Sequence, residues 1–299
     1  MDGWPTEPDK QRNSPGRMNI KIDCLQINFR HSKTATYNLQ KIIDEEGTDI
    51  LCIQEPYTIG SKVMGIPRSY TVFATRAGRK RAAIIIKNKL IDAILLNQLS
   101  DDDVVVVEIG VEGATLIIVT MYFNINRPID IDLQKIQTIL TRVKGVGIIF
   151  AIESNARSTP WHDVLTNNRG NKLEESIISK QLHIANEESS SYTFQTGRGA
   201  SNIDLTVMNN QAIDYVTDWK IHEKESCSDH KIIKYGIGKW KDLCQQTWSN
   251  KAGMRYRVTQ RGTENFQRIF IQIMEQLLHG PNTVDAGIEE IDEALCQRV

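Results

Sequence analysis

Short apolar runs that close on a polar or charged side chain recur along this chain, and their spacing predicts most of its elements. From Met18 to Asn28 the positions Ile20, Ile22, Cys24, Leu25 and Ile27 predict a strand ending in Gln26-Ile27-Asn28. Leu39, Ile42 and Ile43 then fall at helical spacing, and Gly47 stops that helix. Asp49 to Pro56 predicts a buried strand with Glu55 at its tip. Further strands are expected at Tyr70 to Ala74, Ala82 to Ile86, Val104 to Ile109 and Thr115 to Phe123. A helix from about Ile129 to Val143 carries Ile131, Leu133, Ile136, Ile139 and Leu140, and Val146 to Ile152 forms a strand that runs into Glu153-Ser154-Asn155. Two shorter helical pieces, Tyr192-Thr193-Phe194 and a glycine-rich turn lead to a strand over Ser201 to Met208 with Asp204 inside it. Ala212 to His222 predicts one more strand, and the last begins at Ser226-Cys227-Ser228-Asp229-His230.

Strands outnumber helices but helices recur between them, a pattern that suits two β-sheets packed face to face with helices outside. Beyond Trp240 the period changes. Phe266, Ile269, Phe270, Ile273, Met274, Leu277 and Leu278 make an amphipathic helix that Gly280-Pro281 ends, and a weaker helix carries Ile288, Ile291 and Leu295. The expected organisation is a disordered, polar segment over residues 1–17, a main domain over 18–240 and a helical appendage over 241–299. The apolar face of that appendage needs the core, another chain or a following domain to cover it.

Composition narrows the class only modestly. The chain has 299 residues, 40% of them hydrophobic and 24% charged, enough for a sizeable core. A net charge of -1 gives no global attraction to nucleic acid, so a polyanion site must come from local charge or a bound metal. Five scattered cysteines without a CxxC pair fit reduced thiols in an intracellular compartment better than a disulfide framework. No apolar run approaches the ~18 residues of a membrane span, and the N-terminus lacks the apolar centre of a signal peptide.

The candidate chemistry lies at the polar ends of the apolar runs: Asn28, Glu55, Tyr122 with Asn124, Glu153 with Asn155, Asp204, and Asp229 with His230. Burying so many carboxylates is costly unless they converge on a metal or on one another. An Asp-His pair at the mouth of a strand suits phosphate chemistry, the carboxylate facing a divalent cation and the imidazole a phosphoryl oxygen. Arg76, Arg79, Lys80 and Arg81 form a basic turn that either touches a phosphate backbone or is a solvated hairpin tip. Arg198, in the segment from Gln195 to Ser201, is a second candidate for DNA contact.

The ordered series Gln26-Ile27-Asn28, Ile53-Gln54-Glu55-Pro56, Met121-Tyr122-Phe123, Glu153-Ser154-Asn155-Ala156-Arg157-Ser158, Ser201-Asn202-Ile203-Asp204-Leu205-Thr206 and Ser228-Asp229-His230 resembles the endonuclease/exonuclease/phosphatase family. Ala-Arg-Ser after Asn155, Trp161 beyond it and the Ile-Asp-Leu-Thr run look most like the apurinic-type endonuclease domains of insect non-LTR retrotransposons. The resemblance covers roughly Met18 to Trp240. It implies a four-layer α/β sandwich, here with the C-terminal helical appendage, that hydrolyses a DNA phosphodiester with Mg²⁺ or Mn²⁺. Glu55 would hold the metal with Asn28 and Asp229 close by. His230, oriented by Asp204, would contact the scissile phosphate, and Tyr122 would add a phosphate contact. Asn155 would position the nucleophile, and the residue at 153 would align or deprotonate the attacking water.

At position 153 the chain departs from the family pattern, which has Asp in an Asp-x-Asn motif. The extra methylene of Glu153 moves the carboxyl by about an ångström, a displacement that can cost roughly 100-fold in rate, so a weak or inactive nuclease is expected. The competing expectations are a decayed DNA-binding or assembly module and a phosphoesterase of the same fold acting on another substrate. In the element family the domain precedes a reverse transcriptase, which makes such a domain or chain an expected partner through the segment after Trp240. No membrane partner is expected, and action on chromosomal DNA implies nuclear entry.

Overall fold

The computed structural model describes residues 21–75, 78–111 and 114–238. The segments 1–17 and 241–299, with their expected disorder and helical tail, lie outside the described residues, as does Arg76.

The period-2 pattern of the strands accounts for the architecture. In chain order the elements are β1 (Ile22–Asn28), α1 (Lys33–Glu46), β2 (Ile50–Gln54), the small ribbon β3 (Thr58–Ile59) and β4 (Lys62–Val63), β5 (Thr71–Phe73), β6 (Ala82–Ile86) and β7 (Ala93–Leu95). There follow β8 (Val104–Val111), β9 (Ala114–Tyr122), α2 (Asp130–Arg142), β10 (Gly147–Glu153) and α3 (Asn168–Ser179). The order ends with β11 (Leu182–Ile184), the hairpin β12 (Phe194–Thr196) and β13 (Gly199–Ser201), β14 (Asp204–Asn209), β15 (Val216–Ile221) and β16 (Ile233–Ile237). One mixed sheet has the order β15-β16-β1-β2-β6-β5 and the other β11-β14-β10-β9-β8-β7.

Alternate residues of each strand enter different cores. Cys24, Cys52 and Ile84 of the first sheet meet Val105, Ile118, Ile149 and Ala151 of the second in the central layer. Leu25, Ile27, Leu51 and Ile53 point the other way, against Leu39, Ile42 and Ile43 of α1. Val106, Val119, Phe150 and Val207 do the same on the second sheet, against Ile136, Ile139, Leu173 and Ile177 of α2 and α3. Helix, sheet, sheet and helices make the expected four-layer sandwich.

Local signals set the helix ends. Ser32 caps α1, its Oγ accepting from the Ala35 N–H at 3.1 Å, and Gly47 ends the helix with φ 67° in the left-handed region that glycine tolerates. Two expectations shift. The strand expected from Ala212 begins at Val216, because the Ala212 and Tyr215 N–H groups are turned back on Asn209 and Ala212. Asp204 opens its strand instead of sitting inside it.

Candidate active site

The inner face of the sandwich changes character along the strands, and the site is the last step of that change. Below it the layer is apolar. One alternation further, the buried side chains Gln26, Gln54, Thr120 and Thr206 bind the two sheets together. Gln54 Nε2 donates to Thr120 Oγ1 at 2.9 Å and to the Ala151 carbonyl at 3.0 Å, and Thr206 Oγ1 donates to Gln26 Oε1 at 3.2 Å. The next residues with the same parity are Asn28, Tyr122, Glu153 and Asp204. Glu153 is register partner to Tyr122 on one side and Asp204 on the other, so the three form a row across β9, β10 and β14. Asn28 closes the gap between the sheets, its Nδ2 donating to Glu153 Oε2 at 3.2 Å.

His230 arrives from the loop before β16. Its Nδ1 faces both Asp204 oxygens at 2.9 and 3.0 Å, its ring lies 4.8 Å from that of Phe194, and it is 3% exposed. With Nδ1 engaged by a carboxylate, Nε2 is the ring atom left for a substrate. Thr193 Oγ1 accepts from the Ile203 and Asp204 N–H groups, and Asn186 Nδ2 donates to the Asp204 carbonyl, so the strand start that carries the orienting carboxylate is itself held.

Glu55 lies just past β2 at φ 44°, a strained conformation for a residue with a long side chain. Its N–H donates to the Arg81 carbonyl and its carbonyl accepts from the His31 N–H, which fixes the turn. Arg30, His31, Asn155 and Cys227 share the left-handed conformation, so tight, over-determined turns ring the site. Asn155, at φ 48°, donates from Nδ2 to the Phe123 carbonyl at 3.0 Å.

Burial pushes the Glu55 carboxyl up, but the hydrogen bond and charge of His31, 3.5 Å away, outweigh it and hold the pKa below the usual range. His31 is raised in return, mainly by Glu55. Burial, Asp204 and Glu55 push Glu153 well up, opposed by Asn28 and by the charge of Arg169. Burial, with Glu153 and Glu55, pushes Tyr122 up to about 12. Both shifts favour the neutral forms of Glu153 and Tyr122 in this structure, and a cation placed beside them would favour ionised Glu153.

Among the described residues no three His, Cys, Asp or Glu side chains form a ready cage for a metal. A hard, octahedral ion such as Mg²⁺ does not require one, since it is held by one or two carboxylates plus water and substrate oxygens. The ionised carboxylate of Glu55 and the oxygens of Asn28 and Glu153 fit that donor chemistry. The carboxylate of Asp229, the expected companion of the metal site, is paired with the guanidinium of Arg30.

The basic turn divides. Arg79 is exposed, with Nη2 3.2 Å from His31 Nε2, and Arg198 is exposed at the tip of the β12–β13 hairpin. Arg81 is instead paired with buried Asp103 and lies over the Tyr122 ring, 5.3 Å from its centroid. Lys80 is 5% exposed, and its ammonium has no hydrogen-bond partner among the described residues. A solvated hairpin tip therefore describes Arg79 and fails for Lys80 and Arg81. His31, Arg30, Thr193 and Arg169 were not singled out from the sequence. His31 could have been, from its position three residues after Asn28 at a strand end; the others act through contacts that sequence spacing does not encode.

A sandwich of two mixed sheets with an oriented imidazole, a phenol and clustered carboxylates at one end defines the phosphoesterase-like class of four-layer α/β folds. The family model described as endonuclease-reverse transcriptase matches residues 116–234. A 115 kDa protein assigned to the type-1 retrotransposable element R1DM of Drosophila melanogaster is 25% identical over 223 residues, 72% of this chain and 22% of that protein. A retrovirus-related Pol polyprotein from an R1 element of Bradysia coprophila is 26% identical over 187 residues, 59% of this chain and 19% of its own length. The chain thus spans about a fifth of the curated relatives it matches. Among solved structures, the endonuclease domain of TRAS1, a telomere-specific non-LTR retrotransposon, aligns with TM-score 0.67 and 29% identity over 73% of this chain and 98% of that one. An AP endonuclease from Leishmania major shares the fold at TM-score 0.60 and 13% identity, over 78% of this chain and 93% of that one. The chain is thus similar to proteins of the endonuclease/exonuclease/phosphatase fold, the endonuclease domains of non-LTR retrotransposons among them.

Proposed function

We propose that this domain nicks DNA by metal-dependent hydrolysis of a phosphodiester, preparing a target strand for reverse transcription. The observation that carries the reading is the Asp204–His230 pair beside the Tyr122–Glu153–Asp204 row. It presents an oriented imidazole Nε2, a phenol hydroxyl and a carboxyl on one floor, the groups that in-line attack on a phosphate needs.

Glu55, with Asn28 beside it, would hold Mg²⁺ or Mn²⁺, and Asp229 would join only if it leaves Arg30. Such an ion supplies charge neutralisation at the phosphate and lowers the cost of forming hydroxide. His230 would contact the scissile phosphate through Nε2, and the Tyr122 hydroxyl would donate to a phosphate oxygen. Asn155 and Glu153 would place the attacking water, Glu153 in its ionised form would align it or take its proton, and as the new P–O bond forms the old one breaks, its DNA oxygen leaving with a proton from solvent. Exposed Arg79 and Arg198 would meet the DNA backbone, Arg81 steadies Tyr122, and Lys80 is a contact only if its burial is relieved. Among the described residues no helix is long and apolar enough to cross a membrane. Cutting chromosomal DNA would place the protein in the nucleus at that step, with a reverse transcriptase in the same polyprotein or as a partner.

The second reading, a DNA-binding module with a decayed site, is favoured by one feature: Glu153 is 2% exposed and tied to Asn28, away from bulk water. Nicking of supercoiled plasmid with Mg²⁺ or chelator separates the two. The nuclease reading expects metal-dependent nicking that His230→Ala abolishes and that Glu153→Asp accelerates about 10- to 100-fold. DNA binding in chelator, with no cleavage by parent or Glu153→Asp in metal, establishes the module instead.

A further inference from the structure

Helix α3 begins unusually close to the backbone of the loop after β10. A Cβ built on Gly170 would stand 1.8 Å from the Arg157 carbonyl oxygen, so only glycine lets the helix start there. Asn167 fixes the approach: its Oδ1 accepts from the Gly170 N–H at 2.7 Å and from the Arg157 N–H at 3.3 Å, and its own N–H donates to the Arg157 carbonyl at 3.0 Å. The neighbouring side chain, Arg169, is thereby aimed back under the candidate site. Its Nε donates to the Asn155 carbonyl at 3.1 Å, Nη1 to the Arg127 carbonyl at 2.9 Å and Nη2 to the Ser154 carbonyl at 3.4 Å.

Those three carbonyls belong to the turn that carries Asn155 and to the loop that follows Tyr122. The turn needs holding. Asn155 has φ 48° and bonds through its side chain to the Phe123 carbonyl, while Ser154 and Ala156 are tied by the Ser154 N–H to Ile203 and the Ala156 N–H to Ser154 Oγ. A planar guanidinium with five donors can bind three acceptors at once in fixed directions, and an ammonium cannot reproduce that fork. We propose that Arg169 is a positioning residue, a clamp that sets the Glu153–Asn155 turn against the Tyr122 loop through three backbone carbonyls. The inference rests on the nuclease reading for its kinetic consequence and on the geometry alone for its structural one.

The test compares parent, Arg169→Met and Arg169→Lys by amide hydrogen exchange and by nicking with Mg²⁺. Loss of the clamp is expected to speed exchange at the Ser154 and Ala156 N–H groups at least about 10-fold in Arg169→Met and less in Arg169→Lys, with the amides of Ile149 to Ile152 unchanged. In nicking, kcat is expected to fall roughly 100-fold while KM for DNA stays within about threefold. Unchanged protection at Ser154 and Ala156 overturns the clamp. Faster exchange throughout β10 also overturns it, because the arginine is then a general stability element. A raised KM at constant kcat makes Arg169 a DNA contact and overturns it too. Should the parent not nick, the functional reading fails by itself and the exchange experiment alone decides the clamp.

Discussion

At the scale of single residues, the site separates groups by what surrounds them. The Tyr122 hydroxyl, its pKa pushed to about 12 by burial and by Glu153 and Glu55, stays neutral and a donor throughout any working range. A raised acid pKa means that the protonated form is the one favoured, so no alkaline limb below about pH 10 should belong to it. Tyr122→Phe is expected to lower kcat about 10-fold without moving the pH–rate profile between pH 6 and 9, which a plasmid-nicking profile checks. Asp204 has a different task. It fixes which nitrogen of His230 is free, and Asp204→Asn keeps the shape while removing the preference. Single-turnover cleavage should slow by about 100-fold or more, with DNA affinity unchanged in a gel-shift titration. Equal loss of binding and rate would instead make the pair a DNA contact.

At the scale of elements, the strand-end residues were legible because a period of two, an apolar run and a terminal polar side chain specify both burial and place. Asn28, Tyr122, Glu153 and Asp204 could be read as one set for that reason, since each continues the inward parity of its own strand. What escaped the sequence depends on contacts made across the fold. The short strands β3, β4, β7 and β11 have two or three residues, too few to show a period. Arg81 reads as part of a basic turn, and the sequence shows neither the Asp103 that pairs with it nor the Arg30 that pairs with Asp229. Gly170 is a third case: a glycine in the first turn of α3 is locally unfavourable and makes sense only beside the Arg157 carbonyl. Gly170→Ala should therefore destabilise the domain by about 3 kcal/mol despite the better helix propensity of alanine. The expected drop in Tm is roughly 5–10 °C by calorimetry, and an unchanged or raised Tm would show that the helix can withdraw freely.

At the scale of the whole molecule, the chain leaves the first sheet after β6, builds the second, and returns for β15 and β16. The return strand β16 is internal: it pairs with β1, Ile22 opposite Ile237, so the first sheet closes only when its last strand arrives. Site groups come from all three passages, Asn28 and Glu55 from the first, Tyr122, Glu153 and Asp204 from the second, His230 from the return. The same closure is tied at the surface by Glu46 at the end of α1, which meets Lys234 of β16 at 3.0 Å, Lys224 at 3.3 Å and His222 at 3.4 Å. Lys234 first, then Lys224 and His222 against the cost of burial, hold the Glu46 carboxyl down at about 2 from 4.5. A depressed carboxylate stabilises the fold above its unfolded pKa and loses that contribution as pH falls through 4.5 toward 2. The shift corresponds to about 3 kcal/mol at most, and solvent at the quarter-exposed Glu46 side chain reduces it to about 1. Lys234→Met should therefore lower unfolding free energy near pH 7 by about 1 kcal/mol, and the gap between variant and parent should close below about pH 3 in denaturant titrations. A gap that stays constant down to pH 2 would assign the loss to packing of the lysine stem, and the first helix and last strand would then be joined by their apolar contacts alone.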